Sequence, residues 1–397
     1  MKEGKHPICT HHYPEWPQYS EEMVEIVASI LKSGRVNYWT GGEGRQFETE
    51  YADSVGSRYA VSLANGTLAL EAALYSLEIS AGDEIITSSR TFLASASCAV
   101  MRGARPVLCD VDRTSQGMTA DSIKTCITGK TRAIIVVHLA GWPCDMDSIM
   151  DLARNHGLSV IEDCAQAHGA TYRGRNVGSI GHVGAFSFCQ DKIITTGGEG
   201  GMLVTDDHSI WEKVWSYKDH GKNWDAVYNK SHPPGFRWLH ESFGSNWRMT
   251  EMQAALGRIQ LKLLPEWLNT RRRNAKILND RFSIIPALRT TIPGPEIEHA
   301  YYKYYVFVQP NELNSGWNRD RIMEAIIAEG VPCGTGSCSE IYLEKAFPES
   351  WRPSKRLPVA KELGETALMF PVHPTLSIED MDSIASAVEM VVSVASR

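Results

Sequence analysis

Arg132-Ala-Ile-Ile-Val-Val-His138, Met146-Asp-Ser-Ile-Met-Asp-Leu-Ala-Arg-Asn-His156 and Ser159-Val-Ile-Glu162 follow one another in a single short stretch of the chain. The outer two are short β-branched runs bounded by polar residues, and the middle one is of helix length. Two strands joined through a helix make a parallel pair, because a parallel return needs a crossover connection. The same alternation extends outward. Tyr59–Leu63, Glu84–Thr87 and Val107–Cys109 are strand candidates upstream, and Ala185–Phe188 is one downstream. Thr67–Ser76 and Ala94–Arg102 are helix-length segments between them. Strand and helix in turn predict an α/β fold, a largely parallel sheet covered on both faces. Ligands of such sheets gather at the carboxyl ends of the strands, which sets where chemistry is sought.

The flanks are consistent with this core. Glu21–Ser33 places Val24, Val27, Ala28 and Leu31 on one helical face, with Ser20 as N-cap and Gly34 beyond the end. Lys222 to Phe243 is long, irregular and rich in Trp, His, Pro and Gly, as functional or interfacial loops are. Beyond it, Met249–Leu264 is expected as a helix stopped by Pro265, with a second helix running on to Phe282. A strand at Tyr304–Gln309 and helices at Arg319–Glu329 and Ile378–Val394 complete a smaller α+β lobe. The expected organisation is an N-terminal arm (1–20), a large domain (21–250) and a small C-terminal domain (251–397).

Composition narrows the function. At 397 residues the chain exceeds the roughly 250–300 residues at which single cores stop growing. Its 43% hydrophobic and 22% charged residues belong to an ordinary globular protein. A net charge of −7 argues against nucleic-acid binding, which needs a basic surplus to displace counterions. No run approaches the ~18 apolar residues that span a bilayer, so no membrane partner is expected. The start has no secretory pattern, and nine scattered cysteines without a C-x-x-C pair fit a reducing, cytoplasmic setting and no zinc site.

Four features at strand ends carry possible chemistry. Lys192 lies just past the apolar Ala185–Phe188 run and is followed by Gly197, Gly198, Gly200 and Gly201. A lysine, with an ordinary pKa of ~10.4, becomes a nucleophile only where a site desolvates it or captures it on an aldehyde. Asp163 closes the Ser159–Glu162 run, where a carboxylate could keep a pyridine nitrogen protonated. Gly66-Thr67 opens a helix after a strand, an arrangement that receives anions, and Ser187 could add a hydroxyl to the same phosphate. Phe92 follows another strand and could stack on a planar ring. Each feature taken singly also has an ordinary structural explanation. Together they fit one ligand, pyridoxal 5′-phosphate.

The same residues resemble the DegT/DnrJ/EryC1/StrS sugar aminotransferases, which are fold-type-I pyridoxal-phosphate enzymes. The likeness runs nearly end to end. It includes Asn37-Tyr-Trp-Thr-Gly41, Asn65-Gly-Thr-Leu-Ala-Leu70, Thr91-Phe92 and Ile161-Glu-Asp-Cys-Ala-Gln-Ala-His168-Gly169. It continues through Phe186-Ser-Phe-Cys-Gln-Asp-Lys192, Ser245-Asn-Trp-Arg-Met-Thr-Glu-Met-Gln-Ala-Ala255 and Phe370-Pro-Val-His-Pro374. The resemblance implies that Lys192 binds the cofactor aldehyde and shuttles the proton, and that Asp163 partners the ring nitrogen. It places Gln166 beside the ring oxygen, Phe92 on the ring face, and Gly66, Thr67 and Ser187 around the phosphate. Asn246 matches an asparagine that reaches the phosphate from the neighbouring subunit, which implies a homodimer with shared sites. His168 matches a position near the acceptor. One departure is the Cys189-Gln190-Asp191 that precedes the lysine, where many members have His-Pro-x, and it bears on subgroup and substrate.

The expected activity is therefore transfer of an amino group from glutamate or glutamine to a keto sugar, which is expected to be nucleotide-linked. A cyclitol acceptor is the first alternative. A pyridoxamine-dependent sugar dehydratase is the second, and Lys192 argues against it because those relatives carry histidine there. Lys218, His220 and Lys222 are candidates for a nucleotide diphosphate, with His220 taken as substrate-binding. Arg271-Arg272-Arg273 is expected to be a solvated face. His11-His12 lacks a third ligand at a suitable spacing, so no metal is expected.

Overall fold

The computed structural model describes residues 12–231 and 237–397. Seven strands make the main sheet: β1 (Tyr59–Leu63), β2 (Glu84–Ser88), β3 (Arg105–Cys109), β4 (Thr131–Val137), β5 (Ser159–Asp163), β6 (Val183–Ser187) and β7 (Gly201–Thr205). Their spatial order is β1-β7-β6-β5-β4-β2-β3. From β6 to β3 every pair is parallel. β7 runs antiparallel to both of its neighbours. The reason is the connection: residues 188–200, which carry Lys192, join β6 to β7 without a crossover helix, so the chain must turn back.

Burial on both faces follows from the pleat. In β4, Ala133 and Ile135 pack with α3 (Gly66–Ser76), α4 (Ala94–Met101) and α6 (His208–Tyr217) on one side. Ile134 and Val136 pack on the other side with Met146, Ile149 and Ala153 of α5 (Met146–His156). Nearer β1, that second face is covered by Phe47 and Tyr51 of α2 (Glu43–Val55) and by α7 (Glu251–Phe282). The predicted α1 spans Glu21–Ser33, with the Ser20 hydroxyl accepting from the Met23 amide and Gly34 at φ 69°. Among the described residues no helix is long and apolar enough to cross a membrane.

A second sheet, β8 (Leu288–Thr290), β9 (Tyr304–Val308) and β10 (Ala367–Phe370), is antiparallel in that order. It shares a core with the far half of α7, α8 (Arg319–Ala328) and α9 (Ile378–Ala395). The two helices expected around Pro265 are one. Proline deprives the Leu261 carbonyl of its donor and crowds it. Packing on both sides of the break overrides that penalty: Ala254 and Leu268 enter the large core, while Ala275, Leu278 and Phe282 enter the small one. The arm before α1 is tied down. The Trp16 indole packs edge-on against Trp267 at 4.9 Å and donates to the Lys192 carbonyl at 2.8 Å.

Candidate active site

β1, β2, β5 and β6 deliver their carboxyl ends to one cavity of about 1290 Å³. Asp163, Lys192, Phe92, Gly66, Thr67, Gln166 and Ser187 all line it. Seven of the residues chosen from the sequence are thereby brought together, although they span 127 positions from 66 to 192.

Asp163 ends β5 with only 6% of its surface exposed. One carboxylate oxygen accepts from the Ser95 hydroxyl at 2.7 Å and the other from the Ala165 amide at 3.1 Å. Burial pushes its carboxyl above the usual range, while the Ser95 and Ala165 hydrogen bonds and the Lys192 charge oppose that rise. Among the described residues it has no ion-pair partner. A buried carboxylate with free acceptor capacity and no counterion is suited to a ligand cation such as a pyridinium N–H.

The opposite end of the ligand has a cradle. Asn65 caps α3 by accepting from the Leu68 amide at 2.9 Å, so the first amides of the helix point into the cavity mouth without intrahelical partners. Gly66 is required by close approach: a Cβ there would lie 2.6 Å from the Ser187 Cβ. That contact sets the helix terminus beside the Ser187 hydroxyl. Phe92 presents a ring that is 70% exposed, and the Gln166 side-chain oxygen is fixed by the Ala140 amide at 2.7 Å. The donor and acceptor types and the ring wall fit pyridoxal phosphate.

Lys192 reaches the cavity from the β6–β7 connection. Its Nζ is 3.5 Å from the Tyr302 hydroxyl and 3.5 Å from the Asp191 carboxylate. The Tyr302 hydroxyl also donates to Asp191. Burial raises the Asp191 carboxyl, but Lys192, Tyr302 and Lys303 bring it below the usual carboxylate range. Tyr302, Lys303, Ser95 and Asp191 were not legible as site residues. The first two arrive from the loop before β9, more than a hundred positions after Lys192, and no local pattern marks them.

Several expectations need correction. His168 is fully buried and does not reach the cavity: Nε2 donates to the Ser187 carbonyl at 2.9 Å and Nδ1 accepts from the Tyr51 hydroxyl at 2.8 Å. It props the end of β6 from behind. Burial, with Lys192 and Arg271 nearby, pushes its pKa down to about 3. His220 is exposed, at φ 60°, and away from the cavity wall. Lys218 and Lys222 are engaged internally, with Glu48 at 2.7 Å and Asp219 at 3.0 Å, and neither lines the cavity. Arg271 is not solvated: it is 1% exposed, lies over the Trp16 ring and donates to the Tyr301 and Tyr302 carbonyls. Asn246 is a different case, since it was expected to serve the neighbouring subunit: it is exposed and is not among the residues lining its own chain's cavity. His11 lies outside the described residues.

A lysine and a counterion-seeking acid at the carboxyl edge of a mostly parallel sheet, with a helix N-terminus lining the same cavity, belong to the α/β pyridoxal-phosphate class of transferases. Within that class, the chain belongs to the DegT/DnrJ/EryC1/StrS aminotransferase family, whose sequence profile matches residues 17–389. It is a transaminase. The crystal structure of the aminotransferase from Psychrobacter cryohalolentis is 54% identical, with a TM-score of 0.95 over 97% of this chain and 100% of that one. The UDP-N-acetyl-3-dehydro-alpha-D-glucosamine 3-aminotransferase of Acidithiobacillus ferrooxidans is 35% identical, over 93% of each chain. Spr1654 from Streptococcus pneumoniae, solved in its PMP form, is 25% identical with a TM-score of 0.87, over 95% of this chain and 98% of that one.

Proposed function

We propose that this protein moves an amino group from glutamate or glutamine to a keto sugar carried on a nucleotide, with pyridoxal phosphate as cofactor. The observation that supports it best is the pairing in one cavity of Lys192 with a buried Asp163 that has no counterion of its own. Lys192 would hold the aldehyde end, Asp163 the ring nitrogen, Phe92 the ring face, Gln166 the ring oxygen, and Gly66, Thr67 and Ser187 the phosphate. When bound, the cofactor supplies an electron sink for the carbon that loses its proton. The Lys192 Nζ then takes that proton and returns it, as general base and general acid in turn. Tyr302 and Asp191 hold Nζ near the cavity floor, and Asp163 keeps its negative charge where a protonated ring needs it. A nucleotide-linked acceptor is supported by the substrate named for the Acidithiobacillus ferrooxidans relative.

The complete site is proposed to form in a homodimer, with Asn246 serving the neighbouring subunit. Its exposure and its absence from the lining of its own cavity support that role.

Borohydride reduction followed by peptide mass spectrometry tests the lysine directly. The cofactor mass is expected on the peptide containing Lys192, and Lys192→Ala should lose both that adduct and turnover, by about 10²–10⁴-fold or more. An adduct on another lysine, or full activity in the Ala variant, overturns the assignment. A panel of nucleotide-linked keto sugars and keto cyclitols, offered with labelled glutamate and glutamine, identifies the acceptor; conversion of cyclitols alone refutes the nucleotide-sugar part.

A further inference from the structure

Of the basic side chains on the cavity wall among the described residues, there are two, Lys192 and Lys303. Both ammonium groups lie against one aromatic ring: Lys192 Nζ is 4.9 Å from the Tyr302 ring centroid and Lys303 Nζ is 5.0 Å from it. Lys192 has Asp191 at ion-pair distance, and that carboxylate also accepts from Tyr302. Lys303 forms no ion pair or hydrogen bond among the described residues, although it is half-buried. Its position is held from below. The buried Arg271 guanidinium donates to the Tyr301 and Tyr302 carbonyls at 3.3 and 3.2 Å, fixing the backbone that carries Tyr302 and Lys303. Burial, reinforced by the Arg271 and Lys192 charges, depresses the Lys303 pKa, and Asp191 only partly opposes this.

A half-buried ammonium with no counterion at ion-pair distance is destabilising by itself, and an anionic ligand that reaches it gains a charge-assisted hydrogen bond in a partly desolvated place. Ring stacking on Tyr302 compensates only in part. We propose that Lys303 is the anion receptor of this cavity, taking a carboxylate of a substrate whose reacting carbon is worked on by Lys192. This rests on the aminotransferase function proposed above. Two sources share that chemistry: the α-carboxylate of the amino-acid donor, one bond from the reacting carbon, and a carboxylate on the acceptor sugar. Both ammonium groups lie about the same ring and both residues line the same cavity.

The test uses cofactor-loaded enzyme and Lys303→Met, with Lys303→Gln as the substitute if the Met variant does not load, and Lys303→Arg as the conservative variant. The first arm follows cofactor absorbance while glutamate is titrated without acceptor. The second measures KM for two nucleotide-linked keto sugars that differ only by a carboxylate. The expected result is a rise of about tenfold to a hundredfold in half-saturation for glutamate, or for the acidic sugar alone, with partial recovery in the Arg variant. The arm that moves names the source. Unchanged constants in both arms overturn the proposal, and so does loss of cofactor content in the Met, Gln and Arg variants alike, which would make Lys303 a support for the loop. A wild-type holoenzyme whose absorbance ignores both glutamate and glutamine sinks the donor assignment and the donor source of the carboxylate, leaving the acceptor arm to decide this proposal, whereas a normal wild-type response with Lys303 variants silent in both arms sinks only the proposal.

Discussion

Asp163 closes its strand 6% exposed, held by Ser95 and Ala165 and lacking an ion-pair partner among the described residues. Its carboxyl is raised by burial. A raised carboxyl means that the folded chain keeps its proton to higher pH than the unfolded chain. Stability therefore falls as pH rises through the region just above the ordinary value of ~4. At neutral pH the cofactor-free protein carries the full cost of the buried charge. Asp163→Asn is expected to raise the melting temperature of cofactor-free protein by roughly 1–3 °C at pH 7 and to match wild type near pH 4. The same variant should lower kcat by about 10²–10³-fold, as a missing electrostatic partner does. Thermal melts at the two pH values and steady-state rates check both halves. Lys192 and Asp163 could be found from sequence because each follows an apolar strand and retains a charge that a core would exclude. Ser95, Tyr302 and Lys303 could not, since a serine in a helix or a lysine between tyrosines is ordinary until the fold sets it beside the other residues.

At the scale of single elements, α7 shows packing overruling local preference in two ways. Pro265 sits inside it without ending it. Gly257 sits inside it too, where helix propensity alone would favour Ala by ~1 kcal/mol. A Cβ at Gly257 would lie 2.4 Å from the ring of Phe47, which is fully buried and has no room to yield. Gly257→Ala is expected to destabilise by about 1–2 kcal/mol net, read as a lower midpoint in urea unfolding. A neutral or stabilising result would mean that α2 moves away freely. The main-sheet strands and β9 were legible to within two residues at their starts and ends, apart from β7, whereas β8 and β10 of the second sheet were not read. Gly201-Met-Leu-Val-Thr205 directly follows a glycine run and carries no boundary signal of its own, yet it is buried along its whole length. Its identity as a strand depends on β1 and β6 flanking it.

Across the whole molecule, buried neutral histidines govern the acid limit. His168, His299 and His373 are each pushed down to about 3, chiefly by burial. A depressed folded value contributes stability that is present above the ordinary ~6.5 and is lost as pH falls below it, because the unfolded chain then binds the extra proton. Each such group contributes up to about 1.4 kcal/mol per pH unit in that window. Urea midpoints are expected to drop steeply between pH 6.5 and pH 4, and His299→Gln should flatten the slope by about one proton. A slope unchanged by that variant would refute the assignment for His299. The proposed dimer has its own test at this scale. Mixing inactive Lys192→Ala and inactive Asn246→Ala chains should restore about a quarter to a half of wild-type activity per site, through mixed dimers in which one site has both groups intact. No recovery after confirmed subunit exchange would show that Asn246 serves its own chain or none.

The sequence by itself determined the α/β alternation, the strand ends at which ligands gather, and the lysine, acid, aromatic and helix-start residues that line one cavity. Each of these is encoded locally, in hydrophobic periodicity and in the charge that interrupts it. Only the tertiary structure decided that α7 continues past Pro265, that Lys218, Lys222 and His168 are used inside the protein, and that Tyr302 and Lys303 join Lys192. Those outcomes depend on which distant surfaces meet, and the free energy of burying or pairing a group is set by neighbours that lie far away along the chain.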